Sequence, residues 1–109
     1  MAKRAPIRFG AIGCGGAGTD RILQLAKHAL GVQVVAAADL RPECLDNLEK
    51  NLGYSVARYT GPQDYRRMIT DNALDAVGIF TPHIPHYEHV TYALAQGKHV
   101  LIEKPMVCG

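Results

Sequence analysis

Apolar residues fall in two alternating patterns along this chain. Ile7-Arg-Phe-Gly-Ala-Ile12 is a short apolar run ending in glycines, the pattern of a buried strand. From Thr19 to Leu30 the apolar positions are Ile22, Leu23, Leu25, Ala26, Ala29 and Leu30, a helical stripe stopped by Gly31. Val32 to Ala38 is a second strand, rich in β-branched residues and ending at Asp39. Pro42 then suits the first turn of a helix with Leu45, Leu48 and Leu52 on one face and Gly53 just past its end. Tyr54 to Tyr59 reads as a third strand, and Gly61-Pro62 as a turn opening a helix with Tyr65, Met68 and Ile69. Ala73 to Phe80 is the fourth strand. Pro85 starts a helix that runs to about Gln96 and stops at Gly97, and His99 to Ile102 is the fifth strand.

Five strands, a helix between each pair and short connections predict an α/β fold. Strands apolar on both faces belong to a parallel sheet covered on both sides. Right-handed crossovers make this a Rossmann-type doubly wound sheet, and the expected strand order is 3-2-1-4-5. No repeat, linker or low-complexity tract interrupts residues 1–109, so one domain is expected.

Composition narrows the function classes. With 48% hydrophobic and 20% charged residues the chain is ordinary globular protein. A net charge of +2 without a Lys/Arg run argues against nucleic acid, and no segment approaches the ~20 apolar residues of a membrane span. No secretory leader pattern is visible. Cys14, Cys44 and Cys108 make an odd count without metal-like spacing, which fits free thiols and a cytoplasmic location.

Chemistry enters at the first strand-to-helix turn. Gly13-Cys-Gly-Gly-Ala-Gly18 matches G-x-G-x-x-G with a strand before it and a helix after it. Gly13 permits the tight turn, Gly15 lets a pyrophosphate approach the backbone, and Gly18 lets the helix pack on the sheet. Gly16 and Ala17 complete the loop, whose N–H groups and helix dipole would face phosphates. Asp39 ends the second strand 21 residues after Gly18, the place of the acid that binds adenosine ribose hydroxyls. The other reading is a structural glycine turn with a capping Asp39. Asp39 repels a 2′-phosphate and favours NAD, whereas Arg41 could pair with that phosphate and allow NADP, or simply be a solvated arginine.

Thr81-Pro-His-Ile-Pro-His-Tyr-Glu-His89 spaces three histidines by three. Successive i, i+3 positions fan round a helix, so no metal site is expected. Thr81 and Pro82, at the carboxyl end of the fourth strand, and His86, in the next helix's first turn, can face a ligand cleft there. His89 is expected to be a solvated helix residue. Glu103 and Lys104 follow the fifth strand on the same rim. Lys104 can hold a substrate oxygen, donate a proton or polarise a carbonyl, with Glu103 orienting it, or the two form a surface ion pair.

Gly13-x-Gly-x-x-Gly18, Ala38-Asp39 with Arg41-Pro42, Asp75-Ala-Val, Thr81-Pro82 with His86, Gly97-Lys-His-Val100 and Glu103-Lys104-Pro105 occur in this order. Together they resemble the amino-terminal domain of the glucose–fructose oxidoreductase / inositol 2-dehydrogenase / MocA family, over about residues 7 to 106. The resemblance implies an NAD(P)-dependent oxidoreductase of sugars, polyols or their derivatives. It implies Lys104 at the catalytic centre, Glu103 beside the nicotinamide, and Thr81, Pro82 and His86 against the cofactor. Members continue with a sixth strand and an α+β substrate domain that supplies further catalytic groups. This chain is therefore expected to be truncated relative to the family and not competent alone, with self-association through the exposed fifth strand. A stand-alone or engineered nucleotide-binding module is the alternative, and a metal or redox sensor using the histidines and Cys14 is a weaker third.

Overall fold

The computed structural model describes residues 7–13, 20, 22–25, 31–80 and 83–102, with side chains for all of these except 83–87 and 102. Five parallel strands form one sheet: β1 (Ile7–Ile12), β2 (Val32–Ala38), β3 (Ala57–Tyr59), β4 (Ala76–Ile79) and β5 (His99–Ile102). Their order is β3-β2-β1-β4-β5, the doubly wound arrangement expected from the alternation of patterns. Helices α1 (Pro42–Leu52), α2 (Asp64–Asp71) and α3 (His83–Ala95) fill three of the crossovers. Residues 22–25 are helical in the crossover from β1 to β2.

Both faces of the sheet are covered. On one, Phe9, Ala11, Val34 and Ala37 pack with Ile22 and with Leu45 and Leu48 of α1. On the other, Ile12, Ala38, Val77 and Ile79 pack with Tyr65, Met68 and Ile69 of α2 and Ala93 of α3. Removing this apolar surface from water is the main driving force for the fold.

Three boundaries differ from the sequence reading, each for a local reason. β3 begins at Ala57 and not at Tyr54, because side chains bond the preceding segment. The Tyr54 hydroxyl donates to the Val34 carbonyl at 2.8 Å, and Val56 N–H donates to Glu49 Oε2 at 2.8 Å. β4 begins at Ala76, since Ala73 turns the chain through the left-handed region at φ 44°. α3 begins at His83, two residues before Pro85. The first four N–H groups of a helix have no carbonyl partner within it, so proline at the third position forfeits no bond.

Candidate functional site

The register of the sheet decides where the candidate residues meet. Tyr59, Ala38, Ile12, Ile79 and Ile102 are consecutive partners across the five strands. They form one rank at the carboxyl edge, the side on which open α/β sheets bind ligands. The residues that follow, Gly13, Asp39 and Phe80, leave the sheet in step. Gly13 N–H donates to the Ala38 carbonyl at 2.7 Å, Asp39 N–H to Tyr59 at 3.0 Å, and Phe80 N–H to Ile12 at 2.8 Å.

A bulge sets this alignment. Phe9 pairs with Val34 but Gly10 pairs with Ala36, so β2 carries one extra residue, Val35. Such an insertion shifts everything beyond it by one place. Without it Asp39 would be out of step with Gly13.

Gly13 turns away from β1 with φ 85°, a left-handed conformation that glycine adopts without a Cβ penalty. Asp39 is held by its own loop. Its Oδ1 accepts the Arg41 backbone N–H at 2.9 Å, and the guanidinium Nε lies 3.7 Å from the same oxygen. The carboxylate is 8% exposed while the Arg41 side chain is 63% exposed. Asp39 is thus a backbone-held acceptor and Arg41 an exposed cation beside it. Leu40, between them, is 65% exposed, and sequence reasoning had passed it over.

Cys44 lies at the third position of α1, with its N–H donating to the Arg41 carbonyl at 3.0 Å. Burial pushes its thiol up, and the charges of Asp39 and Glu43 add to this while Arg41 opposes it. A thiol held in its protonated form is a poor nucleophile.

At the opposite end of the sheet Asp75 does structural work. Its carboxylate accepts Arg8 N–H at 2.9 Å, and the Arg8 guanidinium reaches the carbonyls of Asn72 and Ala73 at 3.0 and 3.2 Å.

His89 corrects the sequence reading. It is 6% exposed, not solvated, and its ring packs against Tyr65. The signal was present in the spacing: His89 and Ala93 share a helix face with Val90 next to it, and that face meets the sheet.

Among the proposed site residues, Gly13, Asp39 and Arg41 lie on the described rim. His86 lies in the first turn of α3, where only the backbone is described. Gly15, Gly16, Ala17, Gly18, Thr81, Pro82, Glu103 and Lys104 lie outside the described residues, as do Cys14 and Cys108. Among the described residues no group of three or more His, Cys, Asp or Glu side chains could hold a metal, and no helix is long and apolar enough to cross a membrane.

The family description "Oxidoreductase family, NAD-binding Rossmann fold" (GFO_IDH_MocA) matches residues 7–108. The chain belongs to this family. It is 34% identical over 100 residues to inositol 2-dehydrogenase of Ralstonia nicotianae, covering 92% of this chain and 29% of that protein. It is also 34% identical over 111 residues to a glycosyl hydrolase family 109 protein of Streptomyces coelicolor, covering 97% and 23% respectively. Among solved structures it resembles scyllo-inositol dehydrogenase from Lactobacillus casei with bound NAD(H) and scyllo-inositol. The TM-score is 0.79 at 30% identity, over 95% of this chain and 29% of that one. This GFO_IDH_MocA chain therefore spans less than a third of the length of the relatives it matches. Its fold and its NAD-binding character are those of the family's Rossmann domain.

Proposed function

We propose that residues 1–109 are the dinucleotide-binding domain of an oxidoreductase that moves hydride between a nicotinamide cofactor and a sugar, polyol or related hydroxy compound. The observation that carries this reading is the shared rim: Gly13 and Asp39 leave adjacent strands in step, and the Asp39 carboxylate is held by backbone. A nicotinamide supplies the hydride chemistry when bound. Asp39 accepts hydrogen bonds from the adenosine ribose, an arrangement that favours NAD over NADP. The N–H groups of Gly15, Gly16, Ala17 and Gly18 would hold the pyrophosphate. Thr81, Pro82 and His86 would serve the nicotinamide half, and Lys104, with Glu103 to orient it, would hold or donate a proton at the reacting oxygen.

The substrate class rests on the named relatives, two of which are inositol dehydrogenases. The glycosyl hydrolase relative favours a second reading, in which the same domain serves a reaction that cleaves a glycoside. Turnover would need, besides Lys104, a second acid/base group and a dry, preorganised site. We place the chain in the cytoplasm on its odd cysteine count, and we place self-association at β5.

Calorimetric titration with NAD(H) and NADP(H) tests the reading. Weak binding with preference for NAD(H) is expected, and Gly15→Val should abolish it by blocking the approach of the pyrophosphate to the backbone. A folded Gly15→Val chain that binds NAD(H) like the parent would falsify the assignment of the glycine loop.

A further inference from the structure

A second cluster joins α2 to α3 below the rim. Tyr65, the second residue of α2, is 2% exposed. Its ring meets His89 edge to face at 4.3 Å between centroids and Tyr92 at 5.9 Å. His89 and Tyr92 are three apart and so share one side of α3. Arg66 braces the contact: its guanidinium lies 5.7 Å from the Tyr65 ring and 5.2 Å from the Tyr92 ring. Its Nε donates to the Tyr65 hydroxyl at 3.2 Å, and it pairs with Glu88 Oε1 at 3.1 Å. Burial pushes the Tyr65 phenol up, so its hydroxyl stays neutral and available to Arg66.

The position of this cluster gives it a consequence at the rim. α2 follows β3 and α3 follows β4, and both helices begin beyond the same carboxyl edge. A dinucleotide with its adenosine ribose on Asp39 would lie over β2 at one end. The strand order reverses at β1, so its other half would extend to the β4 side. The first turn of α3, which follows β4, is the element there. That turn and His89 belong to one continuous helix, so the contact that sets His89 against Tyr65 also sets the turn.

We propose that the Tyr65–His89 contact, braced by Arg66 between Tyr65, Tyr92 and Glu88, positions the amino-terminal turn of α3 for the nicotinamide half of the cofactor. The proposal rests on the dinucleotide-binding reading above, and its selective prediction separates the two. His89 and Tyr65 are positioning residues here: they act through α3 and not by touching the ligand.

The test compares ADP-ribose, which lacks the nicotinamide, with NADH, by calorimetric titration of the full 109-residue chain. His89→Leu keeps apolar volume and removes the ring. It should bind ADP-ribose within about twofold of the parent and NADH about three- to tenfold more weakly, the equivalent of one edge-to-face aromatic pair. His89→Phe, which restores a ring, should recover NADH affinity. Circular dichroism melts verify folding. If His89→Leu does not fold, Arg66→Met, which removes the cation over the Tyr65 and Tyr92 rings, should weaken NADH about three- to fivefold with ADP-ribose again within about twofold. Equal losses for both ligands would mean the cluster only packs the domain, and an unchanged NADH affinity would remove any positioning role. A parent chain that binds neither ligand would overturn the dinucleotide reading and this proposal with it.

Discussion

Asp39 and His89 show how differently single residues can be read from sequence. Asp39 was legible because its placement depends on spacing along one strand and one turn, which a linear pattern records. What the pattern could not give is how the carboxylate is held, by the Arg41 backbone N–H at 2.9 Å with the guanidinium 3.7 Å away. His89 was misread because a histidine's burial depends on its neighbours from another element, here Tyr65 of α2. Cofactor choice belongs to this scale. A mostly buried carboxylate facing a 2′-phosphate is repulsive, so Asp39→Ala removes an element that rejects NADP(H). It also frees the Arg41 side chain from its carboxylate neighbour and leaves a cation available for phosphate. The affinity ratio of NADP(H) to NAD(H) should rise about tenfold on Asp39→Ala, a change of roughly 1.4 kcal/mol. Paired titrations with the two cofactors measure it. If the parent already prefers NADP(H), Asp39 is not the selector and Arg41 takes its place.

Elements were read correctly in kind and order, and misread at their ends. The β3 and β4 starts depend on side-chain bonds from Tyr54 and Glu49 and on the turn at Ala73, none of which has a periodic signature. The bulge at Val35 is equally silent in sequence, although it brings Asp39 into step with Gly13. Gly78 is another such case, a glycine inside β4 where a strand gains nothing from one. A Cβ at that position would overlap the rings of Phe9 and Phe80, which lie over the strand. Phe9 is buried at 2% exposure in the core cluster that Phe80 borders, so its ring has little room to retreat. Gly78→Ala is therefore expected to destabilise the fold by about 1–3 kcal/mol, the usual cost of overpacking. Urea unfolding should show a lower midpoint with an unchanged slope. A midpoint equal to the parent's would mean that Phe80, partly exposed at the rim, swings aside at no cost.

For the whole molecule, the doubly wound sheet follows from elements that agree with one another: parallel strands apolar on both faces, crossover helices, and glycine at the first switch. What it does with its two edges is a separate matter. At one edge β3 is only three residues long, and Arg58 from it pairs with Asp46 of α1 at 2.7 Å and reaches the Pro42 carbonyl at 2.9 Å. A short strand tied down by a charged side chain is a poor template for another chain. The opposite edge is different. β5 pairs with β4 in register from His99 to Ile102, and among the described residues no strand pairs with its outer side. Leu101 on β5 is 41% exposed, and Leu94 near the end of α3 is 58% exposed. Backbone groups on such an edge can be satisfied by a second β5, with Leu101 buried in the process. A two-fold dimer joined strand to strand is the arrangement that closes on itself. The gain in apolar burial and edge hydrogen bonds has to exceed the entropy lost on association, so the dimer should be concentration-dependent. Sedimentation equilibrium of the 109-residue chain over a wide concentration range should therefore show a monomer–dimer equilibrium. Val100→Pro, which removes an N–H from the strand and is tolerated only at an edge, should shift it towards monomer. Strictly monomeric behaviour at high concentration would mean that the outer side of β5 is already covered within the chain.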